Sequence, residues 1–348
     1  MIVIRQFMTA RSFIMLAILT FSIMTLTFLS ENDACAAESD GSSNSTTPSS
    51  EAVPELRLRK STNTGETNPL HDRILLEKST QESSFVMTPH RQNYFLPFTY
   101  NSQPNQAPWL DQNNYPGITH PVENTEVKLQ LSLKIPLTYD DLFFKNDGIY
   151  IAFTLKSFWQ VYNSTLSAPF RETNYRPEIF YQAYIPMANS DSTFFTRVGF
   201  EHESNGRSQY LSRSWNRVYC GLGVQHRNWL FYVQPWYRLP EDRKLDDGNP
   251  NTPPPAKGDD NPDIQDYMGH YEFWSIYSLP KCELSSMIRY NFSTGKGACE
   301  LGMSFPLWHK IRGYIQYFGG YGESMIDYNH NVQRISIGFL LTDFLHQL

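Results

Sequence analysis

Three side chains that can together carry out acyl transfer stand within fifteen residues of one another: His202, Ser204 and Asn216. A hydroxyl attacks a carbonyl carbon when a base takes its proton, and an imidazole serves best when a third group holds its tautomer. His202 and Ser204 are two residues apart, so in a strand they point to the same face. Phe194, Thr196, Val198 and Phe200 belong to that face, while Arg197, Glu201 and Glu203 take the other. If Ser204 pairs with Ser214 across the connecting loop, His202 lies opposite Asn216. Directly opposed Cβ atoms are ~4.5–5.5 Å apart, close enough for the amide to orient the imidazole. Asn216 in turn shares its face with Val218, Cys220, Leu222 and Val224. The three polar groups therefore stand at the end of an apolar surface, where chemistry on a lipid would need them.

The elements that must hold them are strands. From Phe85 onward one alternating segment follows another, twelve in all: 85–96, 126–136, 149–161, 174–186, 193–204, 214–226, 228–239, 266–278, 282–293, 298–307, 309–321 and 332–345. In 149–161, Ile149, Ile151, Phe153, Leu155 and Trp159 form one face and Thr154, Lys156 and Gln160 the other. The last segment repeats the pattern with Ile335, Ile337, Phe339, Leu341 and Leu345 in phase. Each is near the ~9–11 residues that a tilted strand needs to cross a bilayer. The connections alternate in length. With both termini on the periplasmic side, the outside loops are 97–125, 162–173, 205–213, 240–265, 294–297 and 322–331, the longest connections among them. The inside turns are 137–148, 187–192, 227, 279–281 and 308, of which all but the first are short. That asymmetry, the even strand number and the aromatic strand ends favour a twelve-stranded antiparallel transmembrane β-barrel over a soluble sandwich. Closure also removes the edges that an open sheet would leave in lipid.

Composition fits. Aromatic residues make up 15% and charged residues only 18% of the chain, and no apolar run after the first thirty residues is long enough for a membrane helix. Residues 1–36 read as a secretory signal peptide, with Arg5 and Arg11 before an apolar core from Phe13 to Leu29 and a small-x-small site at Ala34-Cys-Ala36. Removing them takes away Arg5, Arg11, Glu31 and Asp33, so the net charge stays −6. No basic stripe points to nucleic acid. Residues 37–83, rich in Ser, Thr, Asn, Pro and Glu, are expected to be disordered, and 84–348 to form the barrel. Cys220, Cys282 and Cys299 show neither metal-ligand spacing nor a disulfide framework.

At His202-x-Ser204-Asn-Gly-Arg-Ser208 and Ser212-Arg-Ser-Trp-Asn216-Arg, the chain resembles the outer-membrane phospholipase A family of Gram-negative bacteria. Further matches are Pro169-Phe-Arg-Glu-Thr-Asn-Tyr175, Asp259-Asp-Asn-Pro-Asp-Ile264, Tyr267-Met-Gly269 and Gly320-Tyr-Gly-Glu-Ser-Met-Ile-Asp-Tyr328, and the likeness covers about residues 85–345. The resemblance implies a phospholipase A1/A2 with its active site on the lipid-facing surface near the extracellular rim. Ser204 would be the nucleophile, His202 the general base and Asn216 its orienting group, with the N–H of Gly206 in the oxyanion hole. It also implies calcium, held by the carbonyl of Arg207, the hydroxyl of Ser212 and, from a second subunit, the carbonyl of Ser167, all oxygen donors. A metal shared between subunits would make the homodimer the active form. Two positions depart from the family. Leu155 stands where a glutamine can make a polar contact between subunits, and Gln209 where an acidic residue can support a second calcium site. The chain also runs on as His346-Gln-Leu348 past the usual terminal aromatic.

Two other functions fit a barrel. A passive porin would conduct through the lumen, but Arg197, Glu201, Glu203, Arg213 and Arg217 read as a charge-paired filling. A surface adhesin would use the long loop 240–265 with its Pro253-Pro-Pro255 run. Neither accounts for three polar side chains meeting on a lipid face.

Overall fold

Alternation of apolar and polar residues leaves a strand two faces of opposite character, and closing the sheet turns one toward lipid and the other into a lumen. The computed structural model describes residues 70, 73, 74, 77, 87–110, 121–186, 192–245, 255, 257–309 and 311–345. Its strands are β1 (Thr88–Pro89), β2 (Asn93–Asn101), β3 (Thr125–Pro136), β4 (Gly148–Trp159), β5 (Phe170–Pro186), β6 (Ser192–Ser204), β7 (Ser214–His226), β8 (Trp229–Arg238), β9 (Tyr271–Ser278), β10 (Glu283–Asn291), β11 (Lys296–Trp308), β12 (Ile311–Tyr321) and β13 (Asn331–Thr342). Strands β2 to β13 each pair antiparallel with their chain neighbours, and β13 returns to β2 with Ile335 opposite Tyr100. These twelve close the barrel, and β1 only prolongs the β2 edge against β3, with Thr88 opposite Lys134.

The outer wall is apolar: Ile151, Phe153, Ile179, Phe194, Val198, Leu222, Ile335, Ile337, Phe339 and Leu341 are all exposed. The interior is charged and paired. Arg334 bonds Glu323 and Glu126, both at 2.7 Å, Lys128 bonds Glu323 at 2.9 Å, and Arg171 bridges Glu126 at 3.0 Å and Asp327 at 2.9 Å. Arg217 pairs with Glu201 and Glu203. Away from water such charges are tolerated only when paired and hydrogen-bonded.

The structure moves several expected boundaries. The first segment, expected at 85–96, is broken at His90–Gln92 and ends at Asn101, because His90 turns inward to bond Glu178 at 2.6 Å. Pro97 offers no N–H to the ladder, and the register shifts between Leu96 and Thr99. The segment expected at 174–186 begins at Phe170, so Arg171 and Glu172 belong to β5. The one expected at 266–278 starts at Tyr271, after a short helix Ile264–Met268 that buries Ile264 and Met268 at helical spacing and ends at Gly269 with φ +69°. Leu345 is not in phase with the outer face; it lies past β13, buried beside Tyr184 and Ile276. Arg213 is a loop residue over the Tyr328 ring at 5.7 Å, not part of the charge-paired lumen.

The disorder expected over 37–83 does not hold at its end. Leu70, Arg73, Ile74 and Glu77 are helical, and Leu70 and Ile74 pack with Tyr184, Phe195, Leu230 and Ile276. Glu77 bonds Lys134 at 2.9 Å, and Arg73 donates to the carbonyls of Phe344 at 2.6 Å and Pro89 at 2.9 Å. Spacing of three and four puts all four on one helix face, a local amphipathic turn that the average composition of the segment conceals. The signal segment, the rest of 37–83 and His346-Gln-Leu348 lie outside the described residues.

Candidate active site

The β6–β7 hairpin runs in unbroken register from Ser192 opposite His226 to Ser204 opposite Ser214, which puts His202 opposite Asn216. The pairing anticipated from the two sequences is the one observed. His202 Nδ1 and Asn216 Oδ1 are 2.9 Å apart. An amide oxygen only accepts, so this ring nitrogen carries the proton and Nε2 is left with its lone pair. His202, Ser204 and Asn216 are each half-buried on the outer face, while Glu201, Glu203, Trp215 and Arg217 between them point into the lumen. There Trp215 Nε1 donates to Glu203 at 3.1 Å and Arg217 stacks 3.7 Å from the Trp215 ring centre. These inward contacts fix the hairpin from behind and leave its outer face uncovered.

Beyond Ser204 the chain turns through 205–213, and Asn205 stitches that loop together. Its Oδ1 accepts from the N–H of Arg207 at 3.2 Å and of Arg213 at 3.0 Å, and its Nδ2 donates to the Leu211 carbonyl at 2.7 Å. Gly206 follows with φ +62°, and a Cβ there would meet Tyr175 Cε2 at 3.0 Å. Tyr175 is opposite Ser204 on β5 and exposed on the same outer face. Gly206 thus takes a left-handed conformation two residues past Ser204, where an added side chain would crowd Tyr175. Arg207 reaches back to donate to the carbonyls of Phe170 and Arg171, both at 2.9 Å, and lies over the Trp109 ring.

Ser212 donates to Asp260 Oδ2 at 2.7 Å, and the Ser214 N–H donates to Asn261 Oδ1 at 3.0 Å. Asp260 also pairs with Lys244. Ser167 sits in a separate loop between β4 and β5, exposed, at φ +57° with Ala168 at +52°. Gln209, at φ +56°, opens a 3-10 turn ending at Leu211. Leu155 is half-buried on β4 between Leu131 and Tyr175. Among the described residues no cluster of three His, Cys, Asp or Glu could hold a metal. Any cation here would depend on carbonyl and hydroxyl oxygens with Asp260 beside them, a donor set suited to a hard ion.

The rim loops pack on one another. Trp109, Val122, Ile326 and Leu211 form a cluster, and Ile326 N–H donates to Glu172 at 3.1 Å. Burial alone would raise the Glu323 pKa, but Arg334 and Lys128 outweigh it and hold it at about 2. Burial and the bond to Asp263 raise the Tyr328 hydroxyl above its ordinary value. Sequence reasoning missed Asn205, Asp260 and Glu241, the last of which accepts from Asn216 Nδ2 at 3.1 Å. Asp260 and Asn205 each lay within a motif already noticed, but neither motif says which groups these side chains bond.

A closed twelve-stranded barrel with an apolar outer wall, a charge-filled lumen and a Ser, His and Asn on its outside is a membrane β-barrel equipped for chemistry on lipid. The family model described as Phospholipase A1 matches residues 70–341, and the chain belongs to that family. A relative from Klebsiella pneumoniae, "Phospholipase A1", is 38% identical over 75% of this chain and 84% of its own length. The solved outer membrane phospholipase A from Escherichia coli aligns with a TM-score of 0.64 at 38% identity, covering 75% of this chain and 100% of that one. The Salmonella typhi outer membrane phospholipase, solved as a dimer with bound calcium, aligns with a TM-score of 0.66 at 37% identity, over 78% of this chain and 97% of that one.

Proposed function

We propose that this protein is a calcium-dependent phospholipase of the outer membrane that hydrolyses acyl esters of glycerophospholipids as a homodimer. The observation that carries the reading is the His202–Asn216 bond at 2.9 Å, in register with Ser204 on the lipid-facing side of the barrel. Ser204 Oγ attacks the ester carbonyl while its proton passes to His202 Nε2. The Gly206 N–H faces the oxygen on which charge develops, which lowers the barrier because a fixed dipole needs no reorganisation. The C–O bond then breaks, the leaving alkoxide takes the proton from Nε2, and the fatty acyl group stays on Ser204. Water, deprotonated by His202, releases the fatty acid and regenerates the hydroxyl. Asn216 keeps the imidazole in the tautomer each step requires without adding a negative charge on the lipid face.

The Arg207 carbonyl and the Ser212 hydroxyl, with the Ser167 carbonyl of a second copy, are the groups that would hold calcium. When bound, the ion supplies positive charge that stabilises the developing oxyanion. A calcium-bound dimer in a relative 37% identical supports both the ion and the assembly. Export through residues 1–36 fits this location. A porin is the weaker reading, because paired charges occupy the lumen among the described residues. The test is hydrolysis of a phospholipid in detergent micelles, with calcium and with chelator. Wild type is active only with calcium, and Ser204→Ala is inactive while remaining a heat-modifiable folded barrel. Full activity of purified Ser204→Ala removes Ser204 as nucleophile.

A further inference from the structure

An asparagine amide has two ends of similar size and opposite function, and only one of them serves a catalytic histidine. With Oδ1 toward the ring, Nδ1 is protonated and Nε2 can take the Ser204 proton. With the amide turned over, its N–H groups meet Nδ1, the proton sits on Nε2, and the imidazole is no base for Ser204. Asn216 Nδ2 donates at 3.1 Å to Glu241 Oε1, while Asn216 Oδ1 meets His202 Nδ1 at 2.9 Å. A carboxylate accepts and cannot donate, so only one orientation of the amide satisfies both neighbours. The Leu239 N–H, bonded to the Asn216 carbonyl at 2.8 Å, continues the β7–β8 ladder and brings the half-buried Glu241 to this place.

We infer that Glu241 is a positioning residue for the reaction: it selects the amide orientation of Asn216, and through it the tautomer of His202. The set is then a relay of four, Glu241–Asn216–His202–Ser204, with the negative charge one residue removed from the imidazole. This resolves how a neutral amide orients a base on a membrane surface: the charge that fixes it stands in the loop after β8 rather than against the ring. The inference rests on the roles of Ser204 and His202 proposed above.

The full chain in detergent micelles with calcium provides the test, with kcat and KM measured for Glu241→Gln, Glu241→Ala and Glu241→Lys. The labelling rate of Ser204 by an alkyl sulfonyl fluoride reports on nucleophile activation without phospholipid. Gln keeps an acceptor for Nδ2 and stays within about threefold of wild type, whereas Ala loses about tenfold in kcat with KM unchanged. Lys offers only donors, turns the amide over and falls below Ala. In an Asn216→Ala background, Glu241→Ala costs nothing further. Glu241 lies outside the barrel wall, so heat-modifiable migration stays as in wild type. Equal activity of all three variants, a Lys variant better than Ala, a change confined to KM, or an undiminished loss without Asn216 overturns the relay. Failure of the triad itself shows separately, as hydrolysis by Ser204→Ala whatever the Glu241 variants do.

Discussion

Replacing Asn205 by alanine removes the side chain that ties the loop after Ser204 to itself. Besides a long bond from Nδ2 to Glu172 at 3.4 Å, three bonds within the loop go: two accepted from the N–H groups of Arg207 and Arg213 at 3.2 and 3.0 Å, and one donated to Leu211 at 2.7 Å. At ~1 kcal/mol each, the ordered loop loses about 3 kcal/mol, a shift of about a hundredfold in its population relative to open forms. Asn205 is 3% exposed, so water does not fully replace what is lost. The backbone bond from Asn205 N–H to the Arg213 carbonyl remains and keeps the strand ends together. Activity in micelles therefore falls by about ten- to a hundredfold, because Gly206, Arg207 and Ser212 all ride on this loop. The barrel does not depend on it, so heat-modifiable migration persists while proteolysis between 205 and 213 accelerates. Wild-type activity together with unchanged cleavage would show that the loop is held by other contacts and that Asn205 does not organise the site.

Asn216→Ala lowers the rate less than His202→Ala, since in the proposed mechanism one orients the base and the other accepts the proton; side-by-side kcat values decide it, and equal losses would make orientation indispensable. Calcium moves the monomer–dimer equilibrium toward dimer in sedimentation, and Ser212→Ala weakens both that shift and the calcium response, because metal and partner must stabilise each other reciprocally. An unchanged monomer fraction with calcium-dependent activity would place the metal within one subunit. Leu155→Gln, by supplying a polar pair in the membrane worth ~1 kcal/mol, strengthens the dimer and raises activity at low protein concentration. Burial would raise the pKa of Asp147, but the Tyr181 hydroxyl and the N–H groups of Leu142, Phe144 and Phe143 hold it at about 2. Its contribution to the 137–147 turn is therefore present above about pH 4 and lost as pH falls through about 2. Melting of wild type and Asp147→Asn between those values should converge, and parallel curves would count against it.

What was legible in the sequence is what repeats. Period-two alternation located the barrel strands, and the spacing of His202, Ser204 and Asn216 with one assumed pair, Ser204 with Ser214, was enough to set the hairpin register. Where a segment departs from that period the reading slipped. Met268 fell within an expected strand and Ile264 in the loop before it, yet the two bury themselves at helical spacing, and Leu70 and Ile74 were submerged in a polar stretch. The positioning side chains were harder still. Glu241 lies 25 residues from Asn216 and Asp260 lies 48 from Ser212, each in a loop without period, so only the folded rim shows what they touch.

The outward placement of the hydroxyl and the imidazole sets the currency in which this enzyme meets its substrate. With charges filling the barrel and Phe194, Val198 and Phe200 leading up to Ser204 on the outside, an ester approaching the proposed nucleophile does so sideways, by diffusion in the plane of the membrane. The relevant concentration is then a surface mole fraction rather than a molarity. Diluting phospholipid with inert detergent at fixed bulk concentration slows turnover, whereas diluting the whole suspension with buffer leaves each assembled dimer working at the same pace.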